Sequence, residues 1–384
     1  MTVTVRSFAK INLGLRIGAP RADGFHELLT VYQTIALHDV LRISVGRGTG
    51  IKIQCDDPRV PRDESNTCFR IVEKAMQALR AKGSVLIEID KQLPVQGGLG
   101  GASANAVSAL LGLEQALKKS LSTAERLRIA AEVGSDLPLF LIGGTVLGLG
   151  RGEQVYPLED LPAMACVVIT PEVGVSTPKA FAEWDRLWNR LCGAGTLARE
   201  TLSPAHASGG ADGPEAARIR AVGQPRAGIP AWTEKAAELR SARTGKSARP
   251  HITSAKLTLS QPSDRMIELG RGYSAWLSKR YSGAPFGRGQ AENPLLELVR
   301  AGIKNDFEEV VFPEYPELCE GKRALERGGA KYASLSGSGS TLYGLFATRQ
   351  AAVTAAARLR KQGWKAEATT TLTRSQYWRQ IFDC

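Results

Sequence analysis

No apolar run in the 384 residues approaches the roughly 18 needed for a membrane-spanning helix, which argues against a membrane protein. The amino terminus passes from Thr2 to Lys10 without an apolar signal core or a small-residue cleavage site, so secretion is not expected. Cysteine is sparse. Cys55, Cys68, Cys166, Cys192, Cys319 and Cys384 show no C-x-x-C spacing and no nearby histidine, which argues against structural zinc and reads as reduced thiols in a cytosol. Aromatic residues make up 6% of the chain. Acidic residues are outnumbered, 38 against 50 basic, for a net charge of +12. At 43% hydrophobic the chain can still bury a sizeable core, and its length suggests two or three domains.

The positive surplus is concentrated. Residues 186–289 hold seventeen Lys and Arg against seven Asp and Glu, and Ser, Gly, Ala, Pro and Arg crowd together at 203–213 and 223–230. Weak apolar periodicity there reads as a poorly ordered, solvated excursion, although a mobile positive segment could also touch RNA or an acidic partner. Thr244-Gly245-Lys246-Ser247 resembles the tail of a Walker loop, but Arg240 stands where its first glycine belongs, so it is set aside.

The stretch around which the chain is organised runs Pro94-Val95-Gln96-Gly97-Gly98-Leu99-Gly100-Gly101-Ala102-Ser103-Ala104-Asn105-Ala106. It follows an alternating strand, Val85 to Ile89, and leads into an apolar helical run, Val107 to Leu117. Glycines on a strand-to-helix turn let the backbone approach a ligand closely, and the first N–H groups of the helix have no partner within it. An anion such as phosphate would supply one, with the helix dipole pointing the same way. A purely structural turn is the other reading. Neither G-x-x-x-x-G-K-[ST] nor G-x-G-x-x-G matches.

Several further residues stand out. Lys10 and Asn12 interrupt an apolar alternation at Ile11, Leu13, Leu15 and Ile17, at what read as strand ends, where a lysine is ordinarily solvated. Asp23-Gly24 makes a turn before Phe25-His26 and a strand through Leu28, Thr30 and Tyr32; an aromatic face beside an imidazole could hold a flat heterocycle. Asn66 reads as a helix N-cap and Ser122-Thr123-Ala124-Glu125 as a capping box. Asp136 follows Gly134-Ser135 between a helix end and an apolar stretch, where turn or cap is the ordinary reading. Thr177-Pro178 opens a helix whose Phe181 would by itself be core, and Asn293-Pro294 opens another. Late in the chain Ser336-Gly337-Ser338-Gly339-Ser340 joins two apolar strands.

Taken together these stretches resemble the GHMP kinases, and among them the 4-diphosphocytidyl-2-C-methyl-D-erythritol kinases. The carrying motifs are A-K-I-N-L at 9–13 with R-A-D-G-F-H at 21–26, the glycine turn, G-S-D-L-P-L-F at 134–140 and T-P-K-A-F at 177–181, with the 336–340 loop similar to the third GHMP motif. The resemblance covers about residues 8–184 and 293–346. It implies an α+β, two-domain GHMP kinase fold with its active site in the interdomain cleft. The expected division is 1–160 for the N-terminal domain, 161–185 with 290–384 for the C-terminal domain, and 186–289 as insertion. By the same resemblance Lys10 and Asp136 are catalytic, residues 94–104 bind ATP, and Asn12, Phe25, His26, Thr177 and Phe181 bind a cytidine diphosphate sugar alcohol. ATP is the implied co-substrate, accompanied by Mg2+, with no protein metal site, no membrane and no nucleic acid expected as partners. The family has two consecutive serines where this chain has Ser103-Ala104, which removes one hydroxyl. A kinase of another small alcohol, or a non-catalytic binding protein on the same scaffold, are the alternatives left by sequence.

Overall fold

The structure is a computed structural model that describes residues 2–21, 23–200 and 303–382, without the side chains of residues 19 and 191–200. The chain opens with a hairpin of two long strands, β1 (Thr2–Pro20) and β2 (His26–Gly46), closed by the turn at Asp23-Gly24. Lys10 and Asn12, which read from sequence as lying at strand ends, are therefore inside one continuous strand. Register shifts at Phe8/Lys10, Asn12/Gly14 and Ile17/Pro20 bend β1 without ending it. A bulge adds one residue to one strand and re-aims side chains, which is how Lys10 and Asn12 can turn inward from the middle of a strand. Lys10 is 3% exposed, so the solvated lysine that sequence favours by itself is not found.

β4 (Ser84–Asp90) pairs with the Val40–Gly46 half of β2 and β5 (Thr145–Gly150) with its Leu28–Gln33 half, and β3 (Ile51–Cys55) and β6 (Gln154–Pro157) complete a six-stranded sheet. Over it pack α1 (Thr67–Ala78), α2 (Gly101–Leu117), α3 (Thr123–Val133) and the single turn α4 (Leu137–Phe140). The Asn66 side chain caps α1 by accepting the Cys68 N–H at 2.8 Å, and the capping box at Ser122 and Glu125 is formed. Helix α2 begins at Gly101, earlier than its apolar run suggests, and is buried along most of its length.

The second sheet is antiparallel in the order β10-β7-β9-β8, from β7 (Ala165–Ile169), β8 (Tyr332–Leu335), β9 (Leu342–Phe346) and β10 (Ala366–Thr370). It is covered by α5 (Thr177–Glu200), α6 (Glu308–Glu314), α7 (Pro316–Arg327) and α8 (Arg349–Lys361). Helix α5 continues past residue 186, where the insertion was expected to begin, because Trp184 and Leu187 are packed in this core. The basic stretch from 201, its Thr244–Ser247 segment and the Asn293-Pro294 helix start lie outside the described residues. A third apolar cluster joins the sheets, with Ala9, Ile11 and Leu13 of β1 against Cys166, Val168, Tyr343 and Leu345. Both sheets belong to one compact unit. Helix α9 (Arg374–Gln380) was not anticipated, although Thr373 and Gln376 form its capping box.

Among the described residues, no helix is long and apolar enough to cross a membrane. Cys55, Cys68, Cys166 and Cys319 are unbridged.

Candidate active site

Two recesses meet at the glycine turn. One, of about 360 Å³, is lined by residues 94–103 together with Asn66, Cys68 and Asn105; the other, of about 660 Å³, is lined by Lys10, Asn12, Phe25, His26, Asp136, Thr177 and Phe181. Gly98 and Gly100 line both, so the turn is their common wall. Of the residues expected at the glycine turn, only Ala104 is off the surface of the smaller recess. It is 1% exposed and packs in the core under α2, so the absence of a second serine hydroxyl takes nothing from the recess lining.

The turn has its shape because other loops press on it. Gly98 has φ of 78°, and a Cβ there would stand 2.2 Å from the Ser336 carbonyl oxygen. Gly100, at φ of 71°, would meet Phe140 at 3.0 Å and the Lys10 stem at 3.1 Å. The Lys10 backbone N–H donates to Leu99 O at 2.9 Å, Thr341 N–H to Gly97 O at 3.1 Å and the Ser336 hydroxyl to Gly98 O at 2.9 Å. The 336–340 loop is held in turn by Asn305, whose amide donates to Leu335 O and Gly337 O at 2.9 and 2.7 Å. At the base of the turn, buried Asp39 accepts the N–H groups of Gln92 and Leu93, each at 2.7 Å, and pairs with Lys91 at 2.7 Å.

The Lys10 ammonium donates to Asn12 Oδ1 at 2.7 Å and lies 3.6 Å from Asp136 Oδ2. Burial, the stronger influence, pushes its pKa below the usual lysine value, and Asp136 opposes that. Asn12 donates to Thr30 Oγ1 at 2.8 Å, and Thr30 to Gly14 O at 2.8 Å, which orients the amide. Asp136 occupies the N-cap position of α4 but makes no side-chain capping bond. Its Oδ1 instead accepts the Tyr32 hydroxyl at 3.1 Å. Burial first, then the Asp136 charge, keep the Tyr32 phenol protonated well above its ordinary range, so it remains a donor.

At the other end of the larger recess the His26 ring lies flat on Phe181, with centroids 5.0 Å apart and planes 12° apart, and its Nε2 is 2.8 Å from Asp185 Oδ1. Phe307 meets Phe181 edge-on at 4.9 Å. Phe25 is 50% exposed, under the Arg151 guanidinium at 5.0 Å. Thr177, one helical turn from Phe181, has its hydroxyl 2.7 Å from that of Ser338. The fold thus brings together all the residues singled out for this recess, with one face of Phe181 already covered by His26.

Sequence reading passed over Tyr32, Asn105, Arg151 and Asp185. The signal for Tyr32 was available, since residues 26, 28, 30 and 32 share one strand face. Asn105 is 3% exposed, and its Oδ1 is buried without a partner at the wall of the smaller recess. Cys68 is buried at the same wall; burial raises its thiol pKa from 9.0 to about 12. A thiol whose folded pKa is raised contributes stability that is complete below pH 9 and lost as pH climbs toward 12. The Cys68→Ala variant is therefore expected to lose less stability than the parent between pH 9 and 12 when urea midpoints are compared.

The chain is similar to known proteins in sequence and in fold. The GHMP kinases N terminal domain model matches residues 66–144, and the GHMP kinases C terminal model matches 290–365. A 4-diphosphocytidyl-2-C-methyl-D-erythritol kinase of Solibacter usitatus (strain Ellin6076) is 31% identical over 347 residues, 90% of this chain and 82% of the relative. The protein of the same name from Acaryochloris marina (strain MBIC 11017) is 31% identical over 357 residues, 93% and 91% of the two chains. A crystal structure of 4-(cytidine 5'-diphospho)-2C-methyl-D-erythritol kinase shares the fold at a TM-score of 0.59 and 24% identity, over 96% of this chain and 98% of that one. Homoserine kinase from Cytophaga hutchinsonii ATCC 33406 does so at 0.55 and 17%, over 97% and 95%. With relatives matched over most of both chains and a glycine turn shared by two recesses, the chain belongs to the 4-diphosphocytidyl-2-C-methyl-D-erythritol kinase family of GHMP kinases.

Proposed function

We propose that the chain transfers the γ-phosphoryl group of ATP to the 2-hydroxyl of 4-diphosphocytidyl-2-C-methyl-D-erythritol in the non-mevalonate route to isoprenoids, acting in the cytosol. The observation that carries this reading is the shared wall: a backbone turn suited to phosphates separates a recess holding a Lys–Asp pair and an aromatic set from a second recess behind it. Phosphoryl transfer asks for positioning and charge stabilisation more than for covalent catalysis.

In this reading Asp136 accepts the proton of the attacking hydroxyl as its oxygen bonds to the γ-phosphorus, and the bond to the bridging oxygen breaks to release ADP. Lys10, 3.6 Å from that carboxylate, stabilises the charge developing on the hydroxyl oxygen. Asn12 orients the sugar-alcohol end, and Phe25, His26, Thr177 and Phe181 hold the cytidine. Residues 94–103 receive the nucleotide, whose polar edge can satisfy the orphaned Asn105 Oδ1.

Among the described residues there is no group of three or more His, Cys, Asp or Glu side chains able to hold a metal ion. Mg2+ carried on the phosphates keeps several waters and needs only one or two protein oxygens. Here one would be the Ser103 hydroxyl, at the wall of the smaller recess. Bound there, Mg2+ would neutralise phosphate charge. The family matches at 66–144 and 290–365 fall within the proposed N-terminal division 1–160 and C-terminal division 290–384.

The test is ADP release with ATP, Mg2+ and the cytidyl substrate, beside mevalonate and homoserine as control alcohols. Turnover confined to the cytidyl substrate is expected. Faster turnover of either control, or none with any alcohol despite ATP binding, refutes the reading.

A further inference from the structure

We propose that Arg151 binds the diphosphate of the cytidyl substrate, an inference that rests on the function proposed above. The larger recess has an aromatic end at Phe25 and Phe181 and a reacting end at Lys10 and Asp136. A cytidine diphosphate ester that touches both must lay two anionic phosphates between them. Apart from the His26 ring, the cationic side chains among the described residues lining this recess are Lys10 and Arg151.

Lys10 is already committed to Asn12 and Asp136. Arg151 is not. Its guanidinium rests on the face of Phe25 at 5.0 Å, and Glu153 Oε1 stands 3.7 Å from its Nε, beyond hydrogen-bond length. The other Glu153 oxygen accepts the Arg151 backbone N–H at 2.6 Å, so that carboxylate shapes the turn as well as balancing charge. The side chain is 32% exposed and its fork of donors is free to turn toward a ligand.

Its place in the chain fits the span required. A Cβ on the next residue, Gly152, would lie 2.4 Å from the Tyr32 hydroxyl and 3.7 Å from Asp136 Oδ1. Two consecutive residues therefore reach both ends, with the Arg151 guanidinium on Phe25 and Gly152 beside Tyr32 and Asp136. A planar guanidinium that stacks on an aromatic ring while presenting paired N–H donors is suited to holding phosphates beside a stacked base.

Calorimetric titration of the full chain with CDP, CMP and cytidine, in the parent, Arg151→Ala and Arg151→Lys, separates the possibilities. The parent is expected to bind CDP far more tightly than cytidine. Arg151→Ala should lose about 10- to 100-fold in CDP affinity with cytidine nearly unchanged, and Arg151→Lys should fall between. KM for ATP and the melting temperature should stay as in the parent. Equal losses for cytidine and CDP would make Arg151 a support for the Phe25 ring, and no loss for CDP would leave it without a role; either overturns the proposal. A parent that binds CDP no better than cytidine overturns it as well. Failure of the parent to bind any of the three ligands would instead bring down the function proposed above, and this inference with it.

Discussion

Asp136→Asn is expected to lower kcat by about 10²- to 10⁴-fold, the range that loss of a general base produces. The amide keeps the size of the carboxylate and can still meet Tyr32, but it cannot take the proton of the attacking hydroxyl. The side chain is 34% exposed and makes no helix-capping bond, so what the fold loses is its pairing with buried Lys10. KM for ATP should remain close to the parent, with a modest fall in melting temperature. Single-turnover phosphoryl transfer measured at saturating substrate gives the effect directly; a loss below tenfold would remove Asp136 from the role of base and leave it as a partner that orients Lys10.

Gly98→Ala is expected to be the most damaging change in the glycine turn, costing about 3 kcal/mol or more of stability and raising KM for ATP at least tenfold. Two penalties coincide. The residue sits at φ of 78°, which side chains with a Cβ rarely adopt, and the added methyl would lie 2.2 Å from a backbone carbonyl of the 336–340 loop. Backbone cannot swing aside as a flexible side chain can, and that loop is tied down by Asn305. Gly329→Ala separates the two penalties. It shares the backbone problem, at φ of 94°, but its Cβ meets nothing within 4 Å, so about 1 kcal/mol is expected. Similar urea midpoints for the two variants would mean that the 336–340 loop yields, and that the wall between the recesses is softer than its packing indicates.

Much of this architecture was legible in one sequence. The capped start of α1, the capping box of α3, the turn at Asp23-Gly24 and the strand-to-helix position of the glycines rest on interactions within a few residues, which local pattern records. Motif order did the rest for family membership. Local pattern misread Lys10, because an apolar alternation interrupted by lysine looks the same whether the lysine meets water or a buried Asn12 and Asp136. Only bulges in β1, set by its pairing with β2, decide which.

The sequence by itself determined the residue types that chemistry at this site requires and their local elements, since turn, cap and strand face follow from short-range sterics and hydrogen bonding. Tertiary structure alone decided that residues 10, 136 and 181 face one recess, that Gly98 and Gly100 divide it from another, and that Arg151 rests on Phe25 at the aromatic end. These are contacts between segments far apart in the chain. They exist because two sheets share an apolar cluster, and burying it fixes where each strand end and loop must meet.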